Sequence, residues 1–422
     1  MNTYAIIFML VNAGALVSFP RHLATLPLIV GACYMPISQG INIGAFSFPV
    51  IRMLIAVGIF RVLMRGEWIE GGMNRLDWLM IAFAAWALAS SYFHLNPTSA
   101  LVFRLGLVFN TCGIYFLLRI FFKSPGDVWG MVCITAILLT PVAFEMVYEH
   151  IRLHNLFSFF GGVPSIPEIR EGNIRAQGPF RHAILAGTVG AVCFPLMVSV
   201  WNQHRKTAML GILACTTMVV ASSSSGPLAS YLMGIGGLLM WRYRQHMNLI
   251  RWVAVIGYVA LDIVMKAPAY YLMSRIPIVT GSSGWHRARL IETAINHLNE
   301  WWLSGTDYTR HWMPTGVSWN PDHTDITNHY LEMGVIGGVP LMILFVLTLA
   351  KAFSFVGQSV NSENHLLSDE KFMVWAFGSS LFANAATMIS VSYFDQSFIF
   401  LYLTLAVIGS VRDGENIHSV IK

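Results

Sequence analysis

The sequence predicts an all-α polytopic membrane protein with about 12–13 transmembrane helices, forming a single membrane domain over residues 1–422. Two observations carry this. Only 11% of the residues are charged and 55% are apolar or aromatic, whereas a soluble domain carries roughly 25% charged residues. Most side chains must therefore face something other than water. In addition, charge-poor apolar runs of about 16–22 residues, near the length that spans a bilayer core, recur along the whole chain. Together these exclude a disordered chain, a coiled coil, a disulfide-rich secreted scaffold and an ordinary cytosolic enzyme. Nothing suggests nucleic-acid binding.

The apolar runs fall at 3–19, 22–38, 48–64, 78–93, 100–122, 129–148, 182–200, 208–223, 226–241, 250–266, 328–350, 372–391 and 396–411. Each is expected to be helical, because backbone amides in lipid have no water to bond. The second is short and interrupted by proline, which leaves the number of spans at 12 or 13. No basic residue precedes the first run, so it does not read as a cleavable signal peptide. The cysteines (Cys33, Cys112, Cys133, Cys193, Cys215) all sit in apolar stretches without a CxxC pair, which fits neither a disulfide framework nor a cysteine zinc site.

Orientation follows from the basic residues. Arg205 and Lys206, Arg242 to Arg251, Lys351 and Lys371, and Arg412 and Lys422 occupy connections two spans apart, which are expected to be cytoplasmic. The opposite face then receives residues 149–181, the Ser222–Gly226 turn, residues 267–327 and the 392–396 turn. Two of these, at about 33 and about 61 residues, exceed ordinary loop lengths, and such loops are usually functional or disordered. The longer one holds Trp285, Trp301, Trp302, Trp312 and Trp319, a composition that argues for order. Its segment Trp285–Leu303 reads as an amphipathic helix, with Leu290, Ile291, Ala294, Ile295 and Leu298 on one stripe.

The outer loops are rich in arginine despite the positive-inside tendency: Arg152, Arg170, Arg175, Arg181, Arg275, Arg287, Arg289 and Arg310. Arginine presents a planar fork of donors suited to phosphate oxygens, so the group suggests a bound anion. Asp322, His323, Asp325, Asn328 and His329 stand where the long loop re-enters the membrane. His329 could take a proton from a hydroxyl nucleophile, with Asp325 one turn before it. Helix capping by Asp and Asn is the alternative account. A metal site from His323, Asp325 and His329 is conceivable on ligand types, but the spacing matches no zinc motif, so no metal or cofactor is expected. The serine run 222–225 could hold anionic oxygens at a helix start or be a small-residue packing turn. The loop tryptophans suit sugar faces, or an interfacial belt or loop core. Intramembrane Arg52, Arg61, Arg104, Glu145 and Asp262 are either structural pairs or, in a transporter, functional groups.

Several of these segments resemble, in order, the motifs of the O-antigen ligase and polymerase family. They are Arg175–His182, Ser222–Gly226, Trp285–Arg289, Leu303–Asp307 and Asn328–Gly337, within roughly residues 170–345. The resemblance implies a GT-C-like, inverting, metal-independent glycosyltransferase in the bacterial inner membrane, its two long loops and its site facing the periplasm. Such enzymes move a glycan from an undecaprenyl-diphosphate carrier to an acceptor hydroxyl. It makes His329 the base, supported by Asp325, and assigns the diphosphate to Arg287, Arg175, Arg289, Arg181 and Ser225. Asn328, Trp285, Trp312 and Asp307 would contact acceptor or glycan. The family's arginine in its S-R-G turn falls at Ser225 here, so Arg175 or Arg181 would have to supply that contact. This departure favours a Wzy-like polymerase of O-antigen or exopolysaccharide. The alternatives are a ligase acting on lipid A core or protein, and a transporter of lipid-linked sugars. Membrane lipids and other components of a polysaccharide assembly and export system would be its partners.

Overall fold

Every one of the predicted apolar runs folds as a helix in the computed structural model, which describes residues 1–275, 284–317, 320–361 and 366–420. Trp319 and Lys422 lie outside the described residues. The first half contains α1 (Thr3–Ser18), α2 (Thr25–Tyr34), α3 (Val50–Arg65), α4 (Arg75–Ser90), α5 (Pro97–Phe121) and α6 (Pro125–Arg152). The second contains α7 (Ala183–Ser199), α8 (Arg205–Ala221), α9 (Ser225–Leu239) and α10 (Met247–Val264). The long loop follows with α11 (Leu272–Arg275), α12 (Gly284–Asn296) and α13 (Leu298–Trp301), and the chain closes with α14 (His329–Asn361), α15 (Ser368–Thr387) and α16 (Phe398–Val420). Among the described residues, five helical stretches are long and apolar enough to cross a membrane. The protein is thus a helical bundle with the apolarity of a membrane protein.

Helix starts follow local chemistry. Asn74 with Asp77, and Ser124 with Asp127, form reciprocal capping boxes that satisfy amides left open in a first turn. The expected separate spans 226–241 and 250–266 are joined by a 3-10 turn, Met240–His246, with non-helical dihedrals at Tyr243. No residue of α10 is buried, so this apolar helix stands exposed at the side of the bundle.

The structure adds three small antiparallel hairpins to the all-α expectation: β1 (Gly40–Ile43) with β2 (Phe46–Pro49), β3 (Glu168–Arg170) with β4 (Asn173–Arg175), and β5 (Gly316–Val317) with β6 (Asn320–Thr324). The amphipathic segment also differs from expectation. α12 stops at Asn296 because His297 is non-helical, so Leu290 and Ala294 are buried while Ile295 and Leu298 stay exposed.

Hydrogen bonds sort the connections into two ends. At one, Ala176 N–H donates to Ala221 O and His329 N–H to Met388 O. There too, Gln396 reaches Pro179 O and Ser392 reaches Ile326 O. The segments placed on one face by charge alternation therefore meet. At the other end, Asn202 and Gln203 both donate to Asp369, joining the α7–α8 and α14–α15 connections.

α14 is broken at Gly337 and Gly338, whose dihedrals are non-helical, with φ +75° at Gly338. The break frees carbonyls and amides that lipid could not satisfy. Thr306 N–H bonds Val335 O, and Val339 N–H bonds Trp302 O. Trp86 Nε1 donates to Gly337 O, and Arg104 to Ile336 O. The close approach explains the glycines: a Cβ on Gly338 would lie 2.2 Å from Leu303 O, and one on Gly305 2.2 Å from Val335 O. The Leu303–Asp307 and Asn328–Gly337 segments are thus two halves of one interlock, which holds the first turns of α14 against the loop.

Candidate functional site

β3 and β4 are joined by Glu171 and Gly172, both at positive φ, a two-residue turn of the kind that matches strand twist. Side chains two apart on a strand share a face, and the register sets Glu168 opposite Arg175 and Arg170 opposite Asn173. One face of the ribbon therefore carries Arg170, Arg175 and Glu168. Arg175 is buried; it donates to Glu168 at 2.7 Å and to Ser224 Oγ at 2.9 Å. Ser224, the residue before α9, rather than Ser225 at its first position, meets the guanidinium.

From the long loop, α12 brings Arg287 to the same place. Burial pulls the Arg287 guanidinium below the usual arginine range, and the charges of Arg170 and Arg175 add to that, opposed by Asp325. Its Nε is buried without a hydrogen-bond partner. Arg175 is likewise lowered by burial and by Arg170, with Glu168 opposing. His182 accepts from Ile184 N–H through Nδ1, and its Nε2 lies 3.5 Å from Glu168 Oε2. Three guanidinium groups thus converge with a buried donor unused, an arrangement that an anion would complete.

His329 stands four residues beyond Asp325, the carboxylate whose charge reaches Arg287, with its side chain 9% exposed, at the start of α14. Its ring stacks on Tyr393 and meets Phe345 edge-on. Nδ1 lies 2.6 Å from Glu332 Oε2 and has a longer contact of 3.5 Å from Tyr393 N–H; the shorter contact, to a carboxylate, puts the proton on Nδ1 and leaves Nε2 as the acceptor nitrogen. The carboxylate partner is therefore Glu332 and not the expected Asp325. Asp325 instead faces His286 and Arg287, and packing around it raises its carboxyl above the usual aspartate range against their pull. Asn328 caps α14, accepting from Leu331 N–H at 3.0 Å.

The remaining expected residues separate. Arg289 points away from the cluster and pairs with Glu292. Arg181 lies over the Phe394 ring, its backbone amide bonded to Asp395. Trp312 is buried in the loop's own core with Leu290, Ala294, Trp301 and Met313, so it offers no face to a sugar, whereas Trp285 is 57% exposed. Asp307 bonds His94 at 2.6 Å and Leu95 N–H at 2.8 Å, tying the loop to the α4–α5 turn. His323 reaches Thr309 Oγ1 and is lowered by burial, so the conceived grouping of His323, Asp325 and His329 is split among different partners.

Sequence reasoning had Arg170 and Ser224 only as members of larger groups, the outer-loop arginines and the serine run, and missed Glu332 and Glu168 as partners. Only Glu332 had a signal, its i, i+3 spacing from His329. No family model matches the chain, and no curated protein matches it.

Proposed function

We propose that the chain is a membrane glycosyltransferase that joins undecaprenyl-diphosphate-linked oligosaccharide units into a surface or extracellular polysaccharide on the periplasmic face of a bacterial inner membrane. The observation that carries this is the convergence of Arg170, Arg175 and Arg287 with the unpartnered buried Arg287 Nε, Arg287 being on the same loop that leads through Asp325 to a histidine whose Nδ1 is taken by Glu332. A polyprenyl diphosphate supplies the oxygens the guanidinium groups lack. His329 Nε2 takes the proton of the acceptor hydroxyl as its oxygen attacks the anomeric carbon. The bond from that carbon to the diphosphate oxygen breaks, and the arginines stabilise the charge developing on the leaving group. Attack opposite the leaving group inverts the anomeric centre. Arg175, by reaching Ser224, delivers a guanidinium to the serine turn where the resembled family carries its own arginine.

A transporter reading would rest on the intramembrane charges, most of which are taken up by structural partners. Arg61 is held by Glu67, Leu16 O and Phe19 O, and Arg52 by Asn110 and Ser47 O. Asp262 accepts from Ala269 N–H, and Glu145 Oε1 from Leu156 N–H, while Glu145 Oε2 is buried without a hydrogen-bond partner. The test is incubation of purified protein with lipid-linked repeat units. A ladder of products is expected; transfer of a single glycan to an acceptor would make it a ligase, and bound lipid without product would overturn the enzyme reading.

A further inference from the structure

The end of α12 carries a second group of chemistry-bearing side chains, outside the cluster described above. His297, Glu300 and His311 each bring a ligand atom to within 4.8 Å of the other two. We propose that these three residues bind a divalent transition metal of the zinc class, which clips the α12–α13 segment to the Arg310–Trp312 turn of the long loop.

Four observations support it. His297 Nδ1 lies 2.8 Å from Thr293 O, so Nδ1 carries the proton and Nε2 presents its lone pair, the orientation that a backbone carbonyl gives a metal-bound imidazole. Glu300 is oriented in the same way, its Oε2 receiving Trp312 Nε1–H at 3.0 Å from the buried loop core. His311 Nε2 stands 2.9 and 3.1 Å from the two Glu300 oxygens, close to the edge of about 3.3 Å that tetrahedral geometry gives with bonds of about 2.0 Å. The Tyr308 ring stacks on His311, and the His297 ring meets it edge-on, which limits how far the imidazole can swing.

Two imidazoles and one carboxylate suit zinc, with a fourth position for water. On binding, the metal replaces the His311 Nε2 proton, which moves to Nδ1. The site is separate from the arginine cluster, since His297 lies ten residues after Arg287, about 15 Å along the helix. Its effect is on the loop: the turn it clips is preceded by Thr309, whose N–H bonds Asp322 O, in the strand that leads to His329. A hydrogen-bonded Glu300–His311 pair alone would need no ligand nitrogen from His297, whose ring would then serve only to pack, stacked on Trp312, and this decides the test.

The full chain, purified with a tag free of histidine and stripped with chelator, is titrated with Zn²⁺ by calorimetry and with Co²⁺ by visible absorption. One equivalent should bind, with the intense bands of tetrahedral Co²⁺ and a raised melting temperature. His297→Gln should weaken binding by more than the 10–100-fold or so that outer-shell changes cost, as should Glu300→Gln, while His323→Gln leaves it unchanged. Matching metal-free melting temperatures for wild type and variants show that the fold is kept. Absence of saturable binding in the wild type, or binding indifferent to both His297→Gln and Glu300→Gln, would overturn the site.

Discussion

Two ionic clusters stand at opposite ends of the bundle, built from the same residue types but closed to different degrees. At the start of α4, Asp77 is fully buried and takes both Nε and Nη2 of Arg119 at 3.1 Å. It also accepts from Tyr115 Oη at 2.6 Å and Asn74 N–H at 2.8 Å. That carboxylate has nothing left to offer a ligand. At the loop end, Arg170, Arg175 and Arg287 repel one another, and Arg287 Nε has no partner. A buried pair with every bond made serves structure, while a convergence of like charges with a donor unused costs stability unless a ligand completes it. The four predictions below test that contrast.

The largest expected effect is on the open side. His329→Ala should lower transfer about 10²–10⁴-fold, the usual range for losing a general base. The protein should still insert, remain monodisperse in detergent and bind donor lipid. His329→Gln keeps a hydrogen bond to Glu332 but cannot take the proton, so single-turnover rates should be as low. Near-normal transfer by either variant would move the base elsewhere, and aggregation of both would make His329 structural, like Asp77.

On the closed side the readout reverses. Asp77→Ala leaves Arg119 buried without its counter-charge, a change that costs about 3–5 kcal/mol. Thermal melting in detergent should show it directly. The double variant Asp77→Ala with Arg119→Leu should recover much of the loss, since no uncompensated charge remains. A double variant no more stable than the single one would show that the pair stabilises through its geometry and not only by neutralising itself.

Arg287 sharpens the same line. Removing one donor to a developing oxyanion typically costs about 10²–10³ in rate, so Arg287→Ala should lose donor-lipid affinity and transfer together. Its melting temperature should hold or rise, because repulsion with Arg170 and Arg175 is relieved. Arg287→Lys should retain part of the activity, charge surviving without the bidentate fork. A loss of stability like that of Asp77→Ala, with donor binding intact, would place Arg287 in the structural class.

The sequence makes the helices legible because lipid leaves the backbone few options, and an apolar run must close its own hydrogen bonds. Arg175, Arg287 and His329 were legible as residues, from charge on the long loops and from motif order. Their partners were not. Glu168 faces Arg175 only through the register of a hairpin that six residues form, and Ser224 only through the packing of that hairpin on the α8–α9 turn. Trp312 and Asp307 misled because aromatic and acidic residues in a long loop suit sugars as well as they suit a loop core or a tie to His94. The loop is tied down at the break in α14, where Gly337, Gly338 and Pro340 signal a weak point in the helix but not which segment fills it. His297, Glu300 and His311 escaped notice because His311 joins the other two only when the loop folds back.

The smallest effect is expected at Arg289, two residues from Arg287. Positions two apart lie on nearly opposite sides of a helix, so only one of these arginines can face the cluster. Arg289 is exposed and bonds Glu292, which also accepts from Tyr271 Oη at 2.7 Å. These contacts lie on the solvent side of α12, where charge pairs are screened and contribute little. Arg289→Ala should therefore leave donor affinity, transfer rate and melting temperature unchanged within error, measured beside Arg287→Ala in the same preparation. A loss of donor affinity matching that of Arg287→Ala would mean that the anion wraps the helix instead of meeting the arginines at β3 and β4. The open cluster would then have to be redrawn around the exposed face of α12.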